Sequence, residues 1–333
     1  MDERFIVRAI DVGYGHTKYT KGRDARGILC AHFPSLAPLA SDRDISGGVM
    51  ARRDTVVVEF GGARYEVGND VELALGPAHN RMLDEQFSTS ERYMALVQGA
   101  LYYISEPVID VLVAGLPVEL YRENRRSLEE RLIGEYEING RKVRVKKSLV
   151  LPQPIGGYVS YASETSERWR QMQSQMNLVI DIGFCTVDWV TGLGTKTSDA
   201  RSGSYPGGVA VVLRHVAQSI AKKLGKPFSD ISMLDAALRK DGHVRLFGKD
   251  VDLRPHLDAA EPAIVEAVQA ITASVGSGYD IQNIIISGGG AKLYRRAIER
   301  AFPDHTVEVG REPAFANARG FHIAGEEFAR KRP

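Results

Sequence analysis

Cysteine is nearly absent from this chain: 333 residues hold two, Cys30 and Cys185. They share no CxxC spacing, so no disulfide framework and no zinc cluster is expected, and a reducing, cytoplasmic compartment fits. Long apolar runs are missing too. No stretch reaches the roughly 18 apolar residues of a membrane span. The strongest candidate, Val108–Val118, is interrupted by Asp110 and carries Pro117 near its end, so it reads as a buried strand. The opening segment, MDERFIVRAI, has no signal-peptide core. An excess of one charge is also lacking. With a formal net charge of +1, no overall field draws the chain to a membrane surface or to nucleic acid, and direct sequence-specific binding to nucleic acid is not expected. Two local basic stretches, Arg122–Arg126 and Arg141–Lys147, read as a solvated helix face and a solvated hairpin. There are no heptads, no low-complexity tracts and no solenoid period. The length leaves room for two domains, each with its own core.

Hairpins and helices alternate along the chain, and the pattern occurs twice. In the first half, Phe5–Ile10 is a β-branched strand, and Lys18–Thr20 begins a return strand that Gly22 is expected to break. Gly61-Gly62 and Asn139-Gly140 are strong two-residue hairpin signals. Ser88, Thr89 and Ser90 offer N-caps to a helix reaching Ile104. Val108–Leu116 is a strand, Glu119–Ile133 a charged helix, and Leu149–Leu151 a short strand before Pro152. In the second half a helix from Gly156-Gly157 to Met176 leads to strands at Leu178–Asp181 and Val187–Thr191. Helices are expected at Val209–Leu224 (with Gly225 as its C-cap), Pro255–Val275, Ala291–Phe302 and Asn317–Phe328. A hairpin is expected through Gly248-Lys249, and short strands at Ile284–Ile286 and Val307–Val309. Such alternation argues for an α/β protein with mixed sheets covered by helices.

Three segments carry chemistry. Asp11–Lys18 reads DVGYGHTK and Asp181–Asp188 reads DIGFCTVD; each follows an apolar strand and sets a Gly two residues after an Asp. A carboxylate at a strand end can face a metal ion. Glycines at 13, 15 and 183 allow positive φ and let backbone amides approach a phosphate. Tyr14 lies between the first two, and Lys18 can return a positive charge. In the second turn Thr186 supplies a hydroxyl for a terminal phosphate, and Asp188 either orients a water or makes a salt bridge. Mg²⁺ keeps most of its waters, so Asp11 and Asp181 would hold it through water. Ile284–Ala291 runs an apolar strand into Gly288-Gly289-Gly290 at a helix start, which suits a phosphate or an adenosine packed on bare backbone. Each segment alone also fits a polar turn with no ligand.

In this order the three segments resemble the actin-like ATPase superfamily, whose phosphate 1, phosphate 2 and adenosine motifs they match from Asp11 to Gly290. The opening DVGYGHTK, the segment Tyr136–Tyr158 with its Pro-Gln-Pro, and Asn317-Ala318-Arg319-Gly320-Phe321 are most similar to the plasmid-segregating ParM/StbA group, and also to the D component of the PRTRC system. The resemblance implies an actin-like, ribonuclease H-like fold of two domains, with duplicated mixed sheets around a central nucleotide cleft. It places domain I at 1–155, completed by a C-terminal helix over 317–333, and domain II at 156–316. It implies an ATPase that binds ATP or ADP with Mg²⁺, with Gln153 orienting the attacking water. Phe184 stands where the family usually has a second glycine. If that position needs positive φ, Phe184 is strained.

The function implied is a cytomotive ATPase: self-association into a filament that moves plasmid DNA through a DNA-bound adaptor protein, with no membrane partner. A small-molecule kinase of the same superfamily, a non-polymerising nucleotide switch and a chaperone-like ATPase are the alternatives. No sugar-recognition motif and no substrate domain stand out to favour the first or the last.

Overall fold

The computed structural model describes residues 5–41, 51–75 and 85–331. The first half contains β1 (Val7–Val12), β2 (His16–Asp24), β3 (Gly27–Pro34), β4 (Thr55–Phe60), β5 (Ala63–Gly68), α1 (Glu91–Ile104), β6 (Val108–Leu116), α2 (Val118–Leu132), β7 (Gly134–Ile138), β8 (Arg141–Pro152) and α3 (Gln153–Ala162). The second half contains α4 (Ser166–Met172), β9 (Met176–Ile182), β10 (Val187–Leu193), β11 (Lys196–Tyr205), α5 (Val209–Leu224), α6 (Ile231–Lys240), β12 (His243–Leu246), β13 (Lys249–Asp252), α7 (Arg254–Leu257), α8 (Glu261–Val275), β14 (Asn283–Ser287), α9 (Ala291–Ala301), β15 (Val307–Val309) and α10 (Ala316–Lys331).

One topology is used twice. The first sheet runs β3-β2-β1-β6-β8-β7, and the second runs β11-β10-β9-β14-β15. In each, three antiparallel strands lead to two parallel crossovers, β1 to β6 to β8 and β9 to β14 to β15. The registers coincide as well: Asp11 pairs with Lys18, and Asp181 with Asp188.

Strand parity fixes the layers. In the first sheet Ile10, Leu112 and Ala114 face the core under α1. Val7, Ala9, Val111 and Val113 face the other way, onto Phe321 and Ala329 of α10. In the second sheet Leu178, Ile180 and Ile284 face a core shared with α5, α8 and α9. Val179 and Ile285 face Tyr158, Val159 and Ala162 of α3. So α10 covers the inner face of one sheet, α3 covers the inner face of the other, and the two helices cross between them. Glycines make the crossing possible: a Cβ on Gly320 would lie 1.8 Å from the Gly156 carbonyl oxygen, and one on Gly156 would lie 2.7 Å from Asn317 Cα.

The two hairpins named by sequence are present, with φ +60° and +81° at Gly61 and Gly62, and +48° and +76° at Asn139 and Gly140. Several expectations fail for local reasons. Gly22 (φ +130°) does not end the return strand; the register shifts between Thr20 and Gly22, and β2 continues to Asp24. The helix expected from Gly156 begins at Gln153, with Pro154 in its first turn, and stops at Ala162; Thr165 then caps the separate α4. Helix 255–275 is split between α7 and α8. The β12–β13 turn uses Phe247-Gly248 (φ +50° and +79°) rather than Gly248-Lys249. The final helix runs to Lys331, and residues 332–333 lie outside the described residues. No helix among the described residues is long and apolar enough to cross a membrane.

Candidate functional site

Parity also decides where the two aspartates point. Asp11 shares the face of Val7 and Ala9, and Asp181 shares the face of Val179, so both carboxylates project into the layer between the sheets. Both are buried, and both line one cleft of about 410 Å³. Each meets an amide from the helix that covers the opposite sheet. Gln153, first residue of α3, donates Nε2–H to Asp11 Oδ1 at 2.9 Å. Asn317, at the head of α10, donates Nδ2–H to Asp181 Oδ2 at 2.7 Å. The arrangement is a swapped pair, one amide for each half of the duplication.

The equivalent second positions have diverged. Lys18 Nζ lies 3.1 Å from Asp11 Oδ2. Asp188, in the same register on the other sheet, is fully engaged elsewhere. Its Oδ1 accepts from the Val118 amide at 3.0 Å, capping α2 of the other half, and its Oδ2 accepts from the Thr186 hydroxyl at 2.6 Å. Asp188 does not line the cleft. It ties the two halves together through the Val118 amide. Thr186 does line the cleft, with its hydroxyl proton given to Asp188.

The turns after the two aspartates are alike in backbone. The Gly13 amide donates to the His16 carbonyl at 3.2 Å, and the Gly183 amide to the Thr186 carbonyl at 2.9 Å. Neither glycine, nor Gly15, has positive φ. Close approach is what requires them: a Cβ would lie 3.3 Å from the His16 oxygen at Gly13 and 3.0 Å from the Thr186 oxygen at Gly183. The expected strain at Phe184 is likewise absent, because its φ is not positive. Its ring instead crosses the cleft onto Gly15, where a Cβ would lie 2.9 Å from Phe184 Cγ. Tyr14 turns its ring toward Phe87, with centroids 4.9 Å apart. The amides of Gly208, Val209 and Ala210 donate to the carbonyls of Cys185, Gly183 and Phe184 at 2.8–3.1 Å, so the head of α5 grips the second turn from behind.

In the third segment the glycines divide by role. Gly288 has φ +87°, and a Cβ there would lie 2.3 Å from the Ile182 oxygen; on Gly290 it would lie 2.4 Å from Ile182 Cγ2. Both let α9 pack on β9, and Gly290 does not line the cleft. A Cβ on Gly289 would meet nothing within 4 Å, and Gly289 does line the cleft. Around this end stand Leu238, Leu293 and Phe315, with Arg239 paired to the buried Asp235 at 2.8 Å.

Burial pushes the Asp181 carboxyl up to about 7; the Asp11 charge adds to that, while Lys18 and the Asn317 bond oppose it. Burial also raises Asp188, against the bonds from Thr186 and Val118. Among the described residues no group of three or more His, Cys, Asp and Glu side chains could hold a metal directly. Two facing carboxylates, one driven toward its neutral form partly by the other, form a donor set that suits Mg²⁺ retaining its water shell.

Of the residues predicted from sequence, Asp11, Gly13, Tyr14, Gly15, Lys18, Gln153, Asp181, Gly183, Thr186, Gly288 and Gly289 come together in the cleft. Sequence reasoning missed Asn317, Asp235 and Arg239 as site residues. Asn317 was noticed only as part of a motif. For α6 the signals were present: Asp230 as N-cap, bonding the Met233 amide at 3.0 Å, and basic residues in the last turn.

Comparison with known proteins follows this geometry. Residues 9–156 match the model for the N-terminal domain of actin-like proteins, and residues 179–300 match that for the C-terminal domain of the archaeal, MreB-like actin homologue. No curated protein matches the sequence. The archaeal actin homolog Ta0583 superposes with a TM-score of 0.77 at 21% identity, over 97% of this chain and 100% of that one. Its complex with ADP gives 0.75 at 21% over the same shares. A ParM from a 15-stranded filament of Clostridium botulinum gives 0.75 at 20%, over 98% of this chain and 100% of that one. With both halves matched and the duplicated topology present, the chain belongs to the actin-like superfamily, with ParM filament proteins and archaeal actin homologues as structural neighbours.

Proposed function

We propose that the chain is a cytoplasmic ATPase that binds Mg²⁺-ATP between its halves, polymerises in that state, and hydrolyses the nucleotide slowly. The filament would move plasmid DNA through a DNA-bound adaptor. The observation that carries this reading is the swapped pair of amide–aspartate bonds in one cleft that the open Gly289 also lines. The relatives add support: one archaeal homologue is a complex with ADP, and one ParM comes from a filament.

Each residue has a task in this proposal. Asp11 and Asp181 would hold Mg²⁺ through its waters, and the cation would offset charge on the phosphates. Lys18, 3.1 Å from Asp11 Oδ2, would face the phosphate chain. The Gly13–Gly15 and Gly183–Thr186 turns would close on the terminal phosphate from either side. Gln153 has its amide nitrogen committed to Asp11, which leaves its carbonyl oxygen to orient water. A glutamine amide is not a strong base, so turnover is slow. Gly289 and the apolar walls of Leu238, Leu293 and Phe315 would take the nucleoside.

Right-angle light scattering after addition of Mg²⁺-ATP, with ADP as control and phosphate release followed in parallel, tests the proposal. A rise that decays as phosphate appears supports a dynamic filament. Hydrolysis with a flat trace favours the non-polymerising switch or the kinase instead. Full activity in Asp181→Ala would remove the basis for the site.

A further inference from the structure

The side chain of Phe184 joins the two turns that follow the aspartates. A Cβ on Gly15 would lie 2.9 Å from Phe184 Cγ and 3.0 Å from Phe184 Cβ and Cδ2, so this side chain covers the open face of that glycine. Gly15 and Phe184 both line the cleft. The side chain also packs against the apolar core of the second half, which roots it on its own side. Backbone holds both ends of the contact. The Gly15 carbonyl accepts from the Ser35 amide at 3.0 Å, and the Phe184 carbonyl from the Ala210 amide at 2.8 Å. The freedom left at this contact is rotation about the Phe184 side-chain bonds. An aromatic ring offers no hydrogen bond to a phosphate oxygen, and its face carries the negative part of the quadrupole. While it lies on Gly15 it shields that backbone from an anion.

We propose that Phe184 sets the discrimination between nucleoside diphosphate and triphosphate: its ring occupies space between the two turns, and a terminal phosphate must displace it from Gly15. The inference rests on the ATPase reading, in which those turns close on the terminal phosphate. A diphosphate ends short of that position and leaves the ring in place. A triphosphate binds at the expense of the ring's packing on Gly15, so its affinity is lowered relative to that of the diphosphate. Giving up part of the burial of one aromatic side chain corresponds to about tenfold in a dissociation constant. Residue 184 thus acts on specificity and not on the bond-breaking step.

The test is calorimetric titration of the full chain with Mg²⁺-ADP and with a non-hydrolysable analogue of Mg²⁺-ATP, in wild type, Phe184→Ala and Phe184→Leu. The readout is the ratio of the two dissociation constants, which a general loss of packing would not move. Phe184→Ala should bind the triphosphate about tenfold more tightly than wild type does, and ADP within about twofold of wild type. Phe184→Leu should shift the ratio in the same direction by less, and it carries the test alone if the alanine variant does not fold. An unchanged ratio in the variants, or a triphosphate affinity that falls, overturns the inference and leaves nucleotide binding standing. A wild type that binds neither nucleotide overturns both this inference and the ATPase reading.

Discussion

Asp181→Asn should stabilise the nucleotide-free protein in alkali and change little in acid. In the folded protein Asp181 keeps its proton up to about 7. In the unfolded chain a carboxyl loses it near 3.9. The folded state thus binds the proton more tightly. That contribution to stability is complete below about pH 3.9 and is lost as pH rises through about 7. Three pH units at about 1.4 kcal/mol each make about 4 kcal/mol, a large share of a typical stability of 5–15 kcal/mol. Asparagine has the same shape and no charge. Its oxygen still accepts from Ser287 Oγ, and its amide donates to Asn317 Oδ1 once the Asn317 amide, which presents Nδ2 to Asp181 in the wild type, turns over. Urea unfolding of both proteins between pH 4 and 8.5 reads the difference directly, because every other titrating group is common to them. The gap should open between about pH 4 and pH 7, grow by about 4 kcal/mol and stay flat above. Millimolar Mg²⁺ should raise the wild-type midpoint at pH 8 and not that of the variant. Parallel pH profiles for the two proteins would refute the reasoning, since Asp181 would then ionise in the fold without penalty.

Other outcomes follow from the same contacts. Gly288→Ala and Gly290→Ala should lose about 1–3 kcal/mol by overpacking β9, whereas Gly289→Ala should melt within about 0.5 kcal/mol of wild type and show its defect only in nucleotide titration. Gly15→Ala should be destabilised by its contact with Phe184, and Phe184→Ala in the same chain should relieve it; a double-mutant cycle measures the coupling. Gln153→Glu sets a second carboxylate against Asp11. Calorimetric titration at pH 8 should show nucleotide affinity reduced by about tenfold or more, recovering partly at pH 5. Gly320→Ala cannot be accommodated without moving α3 or α10, and should cost about 3 kcal/mol or more in thermal or chemical unfolding.

Much of the cleft was legible because it is written in local pattern. An apolar strand ending in Asp-x-Gly specifies a turn, and parity with Val7 and Val179 specifies the face on which each aspartate stands. The Gly61-Gly62 and Asn139-Gly140 hairpins depend only on residues with access to positive φ. What escaped depends on contacts across the fold. The Asn317–Asp181 bond joins residues far apart in sequence, and nothing near Asn317 names its partner. Phe184 was misjudged because a glycine in relatives was read as a φ requirement, when the demand for a small residue here falls on Gly15. For Asp188 the pattern left open a water-orienting role or a salt bridge; only the approach of α2 shows that its Oδ1 accepts from the Val118 amide. Strand β11, with the sequence KTSDARSGSY, has no apolar alternation and owes its pairing to β10.

The crossing of α3 and α10 has a mechanical consequence. Gln153 and Asn317 each stand three residues before the glycine at which their helix crosses the other. At 1.5 Å per residue, each amide has a lever arm of roughly 4.5 Å about that pivot. A rotation of ten degrees moves it by roughly 0.8 Å, comparable to the margin between a sound hydrogen bond and a broken one. The outer edge of a domain lies roughly 25 Å away, and the same rotation sweeps it through about 4 Å, enough to make or break a contact between neighbouring molecules. The ratio of the two arms makes the molecule an amplifier. A sub-ångström change at the two aspartates would then accompany a displacement at the surface several times larger.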